Sequence, residues 1–174
     1  MLAKFRSQIK AQFIANSKTQ SAFEEKVNAY PLNLEEVKVI QRRQWNYGAF
    51  KGTVFSLHPA KTLPEIVERY GDRRFHPQDI VAGKAVISDA SESLFNPHIY
   101  RVEDFKVHEG VAVDDVREVA TYSGFYGGIF EEGETISVYG KLESVNDTRT
   151  RETYHRILVG SPEAGGVDYI KPVI

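Results

Sequence analysis

The chain has 174 residues, 41% of them hydrophobic, and a formal net charge of -2; this length fits one domain that buries a core of its own, with an N-terminal appendage. No apolar run approaches the roughly 20 residues that a membrane-spanning helix needs, and there is no signal-peptide pattern, so we expect a cytoplasmic protein without a membrane partner. The absence of cysteine excludes disulfides, thiolate nucleophiles and cysteine-based zinc sites.

Periodicity and capping residues predict four helices in the first half of the chain. Phe5, Ile9 and Phe13 recur every four residues, which is typical of an amphipathic helix with one apolar face. Asn33 and Thr62 are favoured helix N-caps. The predicted helices cover about residues 2–16, 22–30, 34–45 and 63–70.

A strand is predicted over residues 53–58, and beyond Pro77 apolar residues alternate with polar ones over five further stretches. Such alternation indicates strands with one buried and one wet face. Gly140, inside one of them, predicts a bulge or a sharp bend. The five later strands cover about residues 81–87, 100–107, 116–122, 135–145 and 154–159.

These elements predict an α+β fold in which N-terminal helices precede an antiparallel, barrel-like β unit of the oligonucleotide/oligosaccharide-binding (OB) type. A flat antiparallel sheet covered by the helices fits the same pattern. Residues 1–30 are predicted to form a helical appendage and residues 31–174 the α+β domain, with the barrel-like portion over about residues 80–174.

The charged residues are distributed unevenly along the chain. Residues 1–85 carry 14 Lys and Arg against 8 Asp and Glu, whereas residues 86–147 carry 4 against 13. A polyanion would be attracted to the first part and repelled by the second. Ordinary solvated surface charge explains the same difference equally well.

Residue types that usually carry catalysis or bind metals show no recognised spacing. The five histidines lie too far apart for a paired-ligand motif, and HExxH is absent. The glycine-rich stretch 124–128 has no GxGxxG spacing and no following helix that would bind phosphate. Gly160-Ser161 resembles a nucleotidyltransferase turn, but only Asp168 follows it as a possible metal ligand. We therefore predict no catalytic residue, no metal ligand and no cofactor.

A basic and aromatic cluster after the third predicted helix indicates a ligand site. Guanidinium groups pair with phosphate oxygens in a bidentate manner, and flat rings stack on bases. The alternative is that Trp45 belongs to the core and the arginines only complement the C-terminus of the helix. The predicted ligand-binding residues are Arg42, Arg43, Trp45, His58, Arg73 and Arg74.

Several long stretches resemble the C-terminal region of a family of predicted nucleotidyltransferases found mainly in archaea. They are RRQWNYG (42–48), GTVFSLHP (52–59), ESLFNP (92–97), GGIFEEGE (127–134) and YHRILVGS (154–161). Family members carry a polymerase-beta-like catalytic domain ahead of this region, which residues 1–29 do not provide. The resemblance therefore implies an accessory or substrate-binding module that acts alone or joins a separate catalytic subunit, without transferase activity of its own.

The sequence thus predicts a noncatalytic accessory module that binds a nucleotide or nucleic acid. A second hypothesis is a protein-interaction or homo-oligomerisation domain in which residues 1–18 pack on a partner or on a second copy of the chain. A third hypothesis is an unrecognised enzyme.

Overall fold

The computed structural model describes residues 30–50 and 53–173, with the side chains of residues 47–50, 53 and 54 left out of the description. The first two predicted helices and the predicted oligomerisation segment, residues 1–18, therefore lie outside the described residues.

Helix α1 (Leu34–Arg43) is the only α-helix in the described part of the chain. Asn33 begins it with a capping box: its side chain accepts from the Glu36 amide at 2.9 Å, and the Glu36 carboxylate accepts from the Asn33 amide at 2.7 Å. Val37 and Ile40 form its buried face and are fully buried. The predicted third helix is thus confirmed, and it ends two residues earlier than expected.

Eight strands form two sheets within the described residues. The strands are β1 (Tyr47–Phe50), β2 (Thr53–Ser56), β3 (Arg73–Asp89), β4 (His98–Glu109), β5 (Val116–Thr121), β6 (Thr135–Asp147), β7 (Glu152–Val159) and β8 (Tyr169–Pro172). β1 and β2 pair as an antiparallel hairpin, and the other six strands form one sheet in the order β3-β4-β5-β7-β6-β8.

Five strands of the larger sheet close on themselves, because β3 pairs with β4 along one edge and with β6 along the other. We call this closed set, β3-β4-β5-β7-β6, the ring. All its pairings are antiparallel except that of β5 with β7, which is parallel. Register shifts interrupt β3 at several points, so the ring is not a regular barrel. The predicted α+β class is confirmed as one helix with a mostly antiparallel six-stranded sheet.

The two ends of the ring differ in what lies against them. The segment 122–134 and α1 lie at one end, which we call the helix end, and Phe125, Tyr126 and Phe130 from this segment pack into the core there. The turn 148–151 between β6 and β7 lies at the other end, which we call the turn end. β6 runs from the first end to the second.

All five strands predicted beyond Pro77 exist, but β3 begins at Arg73, eight residues before the predicted start. Its first residues pair with β6, and a register shift separates Pro77 from Ile80. The residues from Arg74 to Asp79 are exposed, so they lack the alternation that marks a half-buried strand.

The predicted helix over residues 63–70 is wrong. Only one 3-10 turn, Leu63–Glu65, is present, although Thr62 and Glu65 form the predicted N-terminal cap. The apolar side chains of this stretch do not pack on the described part of the chain: Leu63 is 86% exposed and Tyr70 is fully exposed. A helix this short needs such packing to be stable in water.

Gly140 marks a change of strand partner and not a bulge. Its pairing with β3 is continuous, while the other edge of β6 passes from β8, up to Tyr139, to β7, from Lys141. A Cβ at Gly140 would lie 2.7 Å from the carbonyl oxygen of Leu158. Glycine is therefore needed here because two backbones approach closely.

Candidate functional site

The structure does not bring the six predicted ligand residues together. Arg43 binds Glu134 at 2.8 Å, next to the first residue of β6, whereas Arg73 pairs in register with Asp147, the last residue of β6. At about 3.3 Å per residue these positions are separated by roughly 40 Å along the strand. Arg42, Arg43 and Trp45 therefore belong to the helix end, and Arg73 and Arg74 to the turn end.

At the helix end, Trp45 is buried, with 4% of its surface exposed. This burial matches the alternative in which Trp45 is a core residue. Arg43 is neutralised by Glu134, and Arg42 is exposed on the last turn of α1. Arg42, Arg43 and Trp45 therefore do not combine an exposed aromatic ring with two neighbouring guanidinium groups that are free to bind phosphate.

His58 lies away from the predicted ligand arginines. It is close enough to His98 to lower the pKa of His98. Its Nε2 is 2.9 Å from the Ser56 hydroxyl, while His98 is buried and its Nδ1–H donates to the carbonyl oxygen of Ser93 at 2.8 Å. Burial lowers the pKa of His98, and the nearby His58 lowers it further. The ring of His98 packs on Gly127, where a Cβ would lie 2.5 Å from it.

At the turn end, Arg73 is the centre of a buried charge network. Its Nη1 lies 3.1 and 3.2 Å from the two carboxylate oxygens of Glu118, and its Nη2 lies 2.9 Å from Glu68. Glu118 is completely buried and also accepts from the Tyr154 hydroxyl at 3.0 Å. Burial alone would lower the pKa of Arg73, but the hydrogen bond with Tyr154 and the carboxylates outweigh it and raise the pKa.

Glu118 is one member of a row of alternating charges that crosses four neighbouring strands. In register, Arg101 on β4 faces Glu118 on β5, which faces Arg156 on β7, which faces Glu143 on β6. Arg156 binds Glu143 through Nε at 2.8 Å and Nη2 at 2.7 Å. Arg101 is half exposed and contacts Glu118 only at 3.7 Å. Sequence analysis missed this row because its members meet only through the strand order.

An aromatic ring lies beside this row. Phe75 on β3 is 37% exposed, and the guanidinium carbon of Arg156 lies 3.4 Å from its ring centroid. The guanidinium carbon of Arg73 lies 5.7 Å from the same centroid. Cation–π contacts of this kind fix the orientation of both partners, so Phe75 is a partly open flat surface next to positive charge.

The turn between β6 and β7 adds exposed cations at the same end. Thr148 ties it to the start of β3 by donating from its amide at 2.8 Å and from its hydroxyl at 3.0 Å to the carbonyl oxygen of Asp72. Arg149 and Arg151 in the turn, and Arg74 on β3, are exposed, and none of the three forms an ion pair within residues 30–50 and 53–173. We call Arg74, Arg149 and Arg151 the arginine rim.

A cleft of about 380 Å³ opens nearby, between β4 and the start of β5. Glu103, Asp104, Asp114 and Asp115 line it, and the one lining cation, Arg117, binds Asp115 at 2.7 Å. A negatively charged lining repels phosphate. The cleft therefore does not suit an anionic ligand, unlike the arginine rim.

The Gly160-Ser161 turn has a structural partner in Asp168. The buried Asp168 carboxylate accepts from the amide of Gly160 and from the amide of Ser161 at 2.9 Å. In the part of the chain that the structure describes, no group of three or more His, Asp or Glu residues could hold a metal ion. No helix in that part is long and apolar enough to cross a membrane.

No protein-family model matches the chain, and no solved structure matches it. The chain is similar to uncharacterized protein MJ1086 of Methanocaldococcus jannaschii, with 29% identity over 150 residues. The match covers 86% of this chain and 42% of that protein. The chain thus spans less than half the length of this relative.

Proposed function

We propose that this chain is a noncatalytic module that binds a nucleotide or a single strand of nucleic acid at the arginine rim. In this proposal it is related to the accessory region of predicted nucleotidyltransferases, and its ring is a distorted OB-like barrel. The arginine rim, at the same end of the ring as Phe75, is the observation that supports this function best.

The strand arrangement supports the OB-like part of the proposal. OB folds are five-stranded, partly open Greek-key barrels, and their ligands contact the second and third strands and the loops after the first and fourth. Here the ring has five strands, and the turn after the fourth, β6, contributes Arg149 and Arg151. The outer side of the second and third ring strands carries Arg101 and Glu118.

The chemistry of the rim suits phosphate and bases together. Arginines without carboxylate partners pair with phosphate oxygens at little cost in competing interactions. Phe75 offers a ring on which a base stacks, and such stacking contributes about 1–3 kcal/mol per base. The buried Arg73–Glu118 pair holds the strand that carries Arg74 and Phe75 in place.

Fluorescence anisotropy with a labelled single-stranded oligonucleotide tests the proposal. Replacing Arg74, Arg149 and Arg151 with alanine should weaken binding at least about tenfold at moderate salt and reduce the slope of log K against log salt by about 2. The matched control replaces Arg42, Lys84 and Lys106, which are also exposed and outside every ion pair of the described residues. This control removes the same charge and should change affinity less than about twofold.

Equal loss of affinity in the two triple variants would show diffuse charge attraction and would contradict a site at the rim. Unchanged binding in the rim variant would do the same. Replacing Phe75 with leucine should lower affinity while leaving the salt slope unchanged, because it removes stacking and no charge.

The proposed partner is a separate catalytic subunit. More than half of the M. jannaschii relative lies outside the match, which leaves room in that protein for a further domain. Co-purification of this chain with a separately encoded polymerase-beta-like protein would support this part of the proposal.

A further inference from the structure

The segment 61–72 is attached to the rest of the molecule near both of its ends. Lys61 binds Glu92 at the helix end, and Glu68 binds Arg73 at the turn end at 2.9 Å. The Arg69 amide also donates to the Asp72 carboxylate at 2.8 Å. We call this segment the strap, because it passes along the outside of the ring from one end to the other.

Between these attachments the strap exposes its apolar side chains. Leu63 is 86% exposed, Ile66 52%, Val67 65% and Tyr70 fully exposed. These residues follow the i, i+3, i+4, i+7 spacing that places side chains on one helix face. Four exposed apolar side chains within eight residues are typical of a segment that packs on a partner surface.

The strap also has a formed helix start without a helix. The amide and hydroxyl of Thr62 both donate to the Glu65 carboxylate at 2.7 Å, yet only one 3-10 turn follows. An amphipathic helix becomes stable when its apolar face packs on another surface. The local sequence signals for a helix are therefore present, and what the helix lacks is a complementary apolar surface to pack on.

We propose that the strap is the docking surface for residues 2–14 of the same chain. The sequence of this segment carries an apolar stripe at helical spacing, formed by Phe5, Ile9 and Phe13. Docking the two apolar stripes on each other removes both from water.

Charge and chain length agree with this occupant. Residues 2–14 contain three Lys and Arg and no Asp or Glu, whereas the strap contains three acidic residues against Lys61 and Arg69, and Lys61 is already paired with Glu92. The attraction between the two is therefore favourable at low salt. Residues 15–29 span about 30 Å with the predicted helices formed, and the strap begins at the helix end, where Tyr30 packs on Phe125.

The absence of cysteine from the chain permits a direct test by disulfide formation. In the full chain, Ile9→Cys with Val67→Cys should form an intrachain disulfide on the order of ten times faster than Ile9→Cys with Val111→Cys. Val111 is a matched control because it is 41% exposed and lies near the acidic side chains of the β4–β5 connection. Gel mobility and mass of the oxidised monomer measure both rates.

Two further measurements separate docking from simple proximity. Adding Phe5→Asp and Phe13→Asp to the Ile9→Cys, Val67→Cys variant should reduce its rate of disulfide formation to that of the control pair. Raised salt should slow disulfide formation in the Ile9→Cys, Val67→Cys variant in part. Equal rates for the two cysteine pairs would overturn the proposal. Disulfide-linked dimers at low protein concentration would overturn it too, because they would show that a second copy occupies the strap.

Discussion

At the helix end of the ring the buried contacts are mainly between aromatic and aliphatic side chains, whereas at the turn end an ion pair lies in the interior. Tyr30 stacks on Phe125 with 4.2 Å between ring centroids, and Tyr100 meets Phe130 edge-on at 5.6 Å. At the other end, Glu118 and Arg73 are buried as an ion pair. The same closed sheet is thus stabilised in two ways.

The difference separates structural residues from candidates for binding. The aromatic side chains of the helix end are packed against each other, so their surfaces are already used. At the turn end the buried ion pair leaves further arginines exposed above it, and these can exchange water for a ligand. The basic and aromatic residues after α1 suggested a ligand site in the sequence, yet at that end Trp45 is buried and Arg43 is paired, while the three arginines of the rim lie at the opposite end.

The largest predicted effect tests the helix end. Phe130→Ala should lower the free energy of unfolding by about 3–5 kcal/mol, because Phe130 is 1% exposed and its removal leaves a cavity. Tyr122→Ala is the control, since Tyr122 is 63% exposed, and it should cost less than about 0.5 kcal/mol. Urea denaturation measures both values. A small loss for Phe130→Ala would mean that this end does not depend on aromatic packing.

The second prediction tests the turn end. Glu118→Ala should lower the free energy of unfolding by about 3 kcal/mol, because it leaves the mostly buried Arg73 guanidinium with Glu68 as its one carboxylate partner among the described residues. Glu152→Ala removes the carboxylate of an exposed pair with Arg117 and should cost less than about 1 kcal/mol. Equal effects of the two substitutions, measured by urea denaturation, would contradict the view that buried charge holds this end.

The strands could be predicted because each has one buried face, which leaves alternation in the sequence. The start of β3 could not, because Arg74 and Phe75 are exposed on both faces of the strand. The pairing of Glu118 with Arg156 could not either, since it depends on β5 lying beside β7. No local sequence pattern encodes which strands lie side by side in the sheet.

The strap shows the opposite case, in which the local sequence predicts a helix that the structure does not contain. Its spacing and its Thr62–Glu65 cap are correct local signals for a helix, and the cap does form. The helix is absent because tertiary packing decides short helices. For the candidate site, Arg73 and Arg74 were predicted as basic residues, and the structure pairs Arg73 with Glu118 while Arg74 is exposed. Arg149 and Arg151 were not predicted, because a charged turn is usually only solvated.

The smallest predicted effect sharpens the comparison, since it concerns a titratable group at the mainly apolar helix end. Burial holds the pKa of His98 below its usual value of 6.5. Near and below pH 6.5, His98 is therefore protonated to a greater extent in the unfolded chain than in the folded chain. Stability should therefore fall as the pH drops from 7.5 to 5.5. His98→Gln should reduce this dependence, whereas the same change at the exposed His76 should not. Identical pH profiles of the two variants in urea denaturation would show that the helix end contains no proton-linked contact at His98.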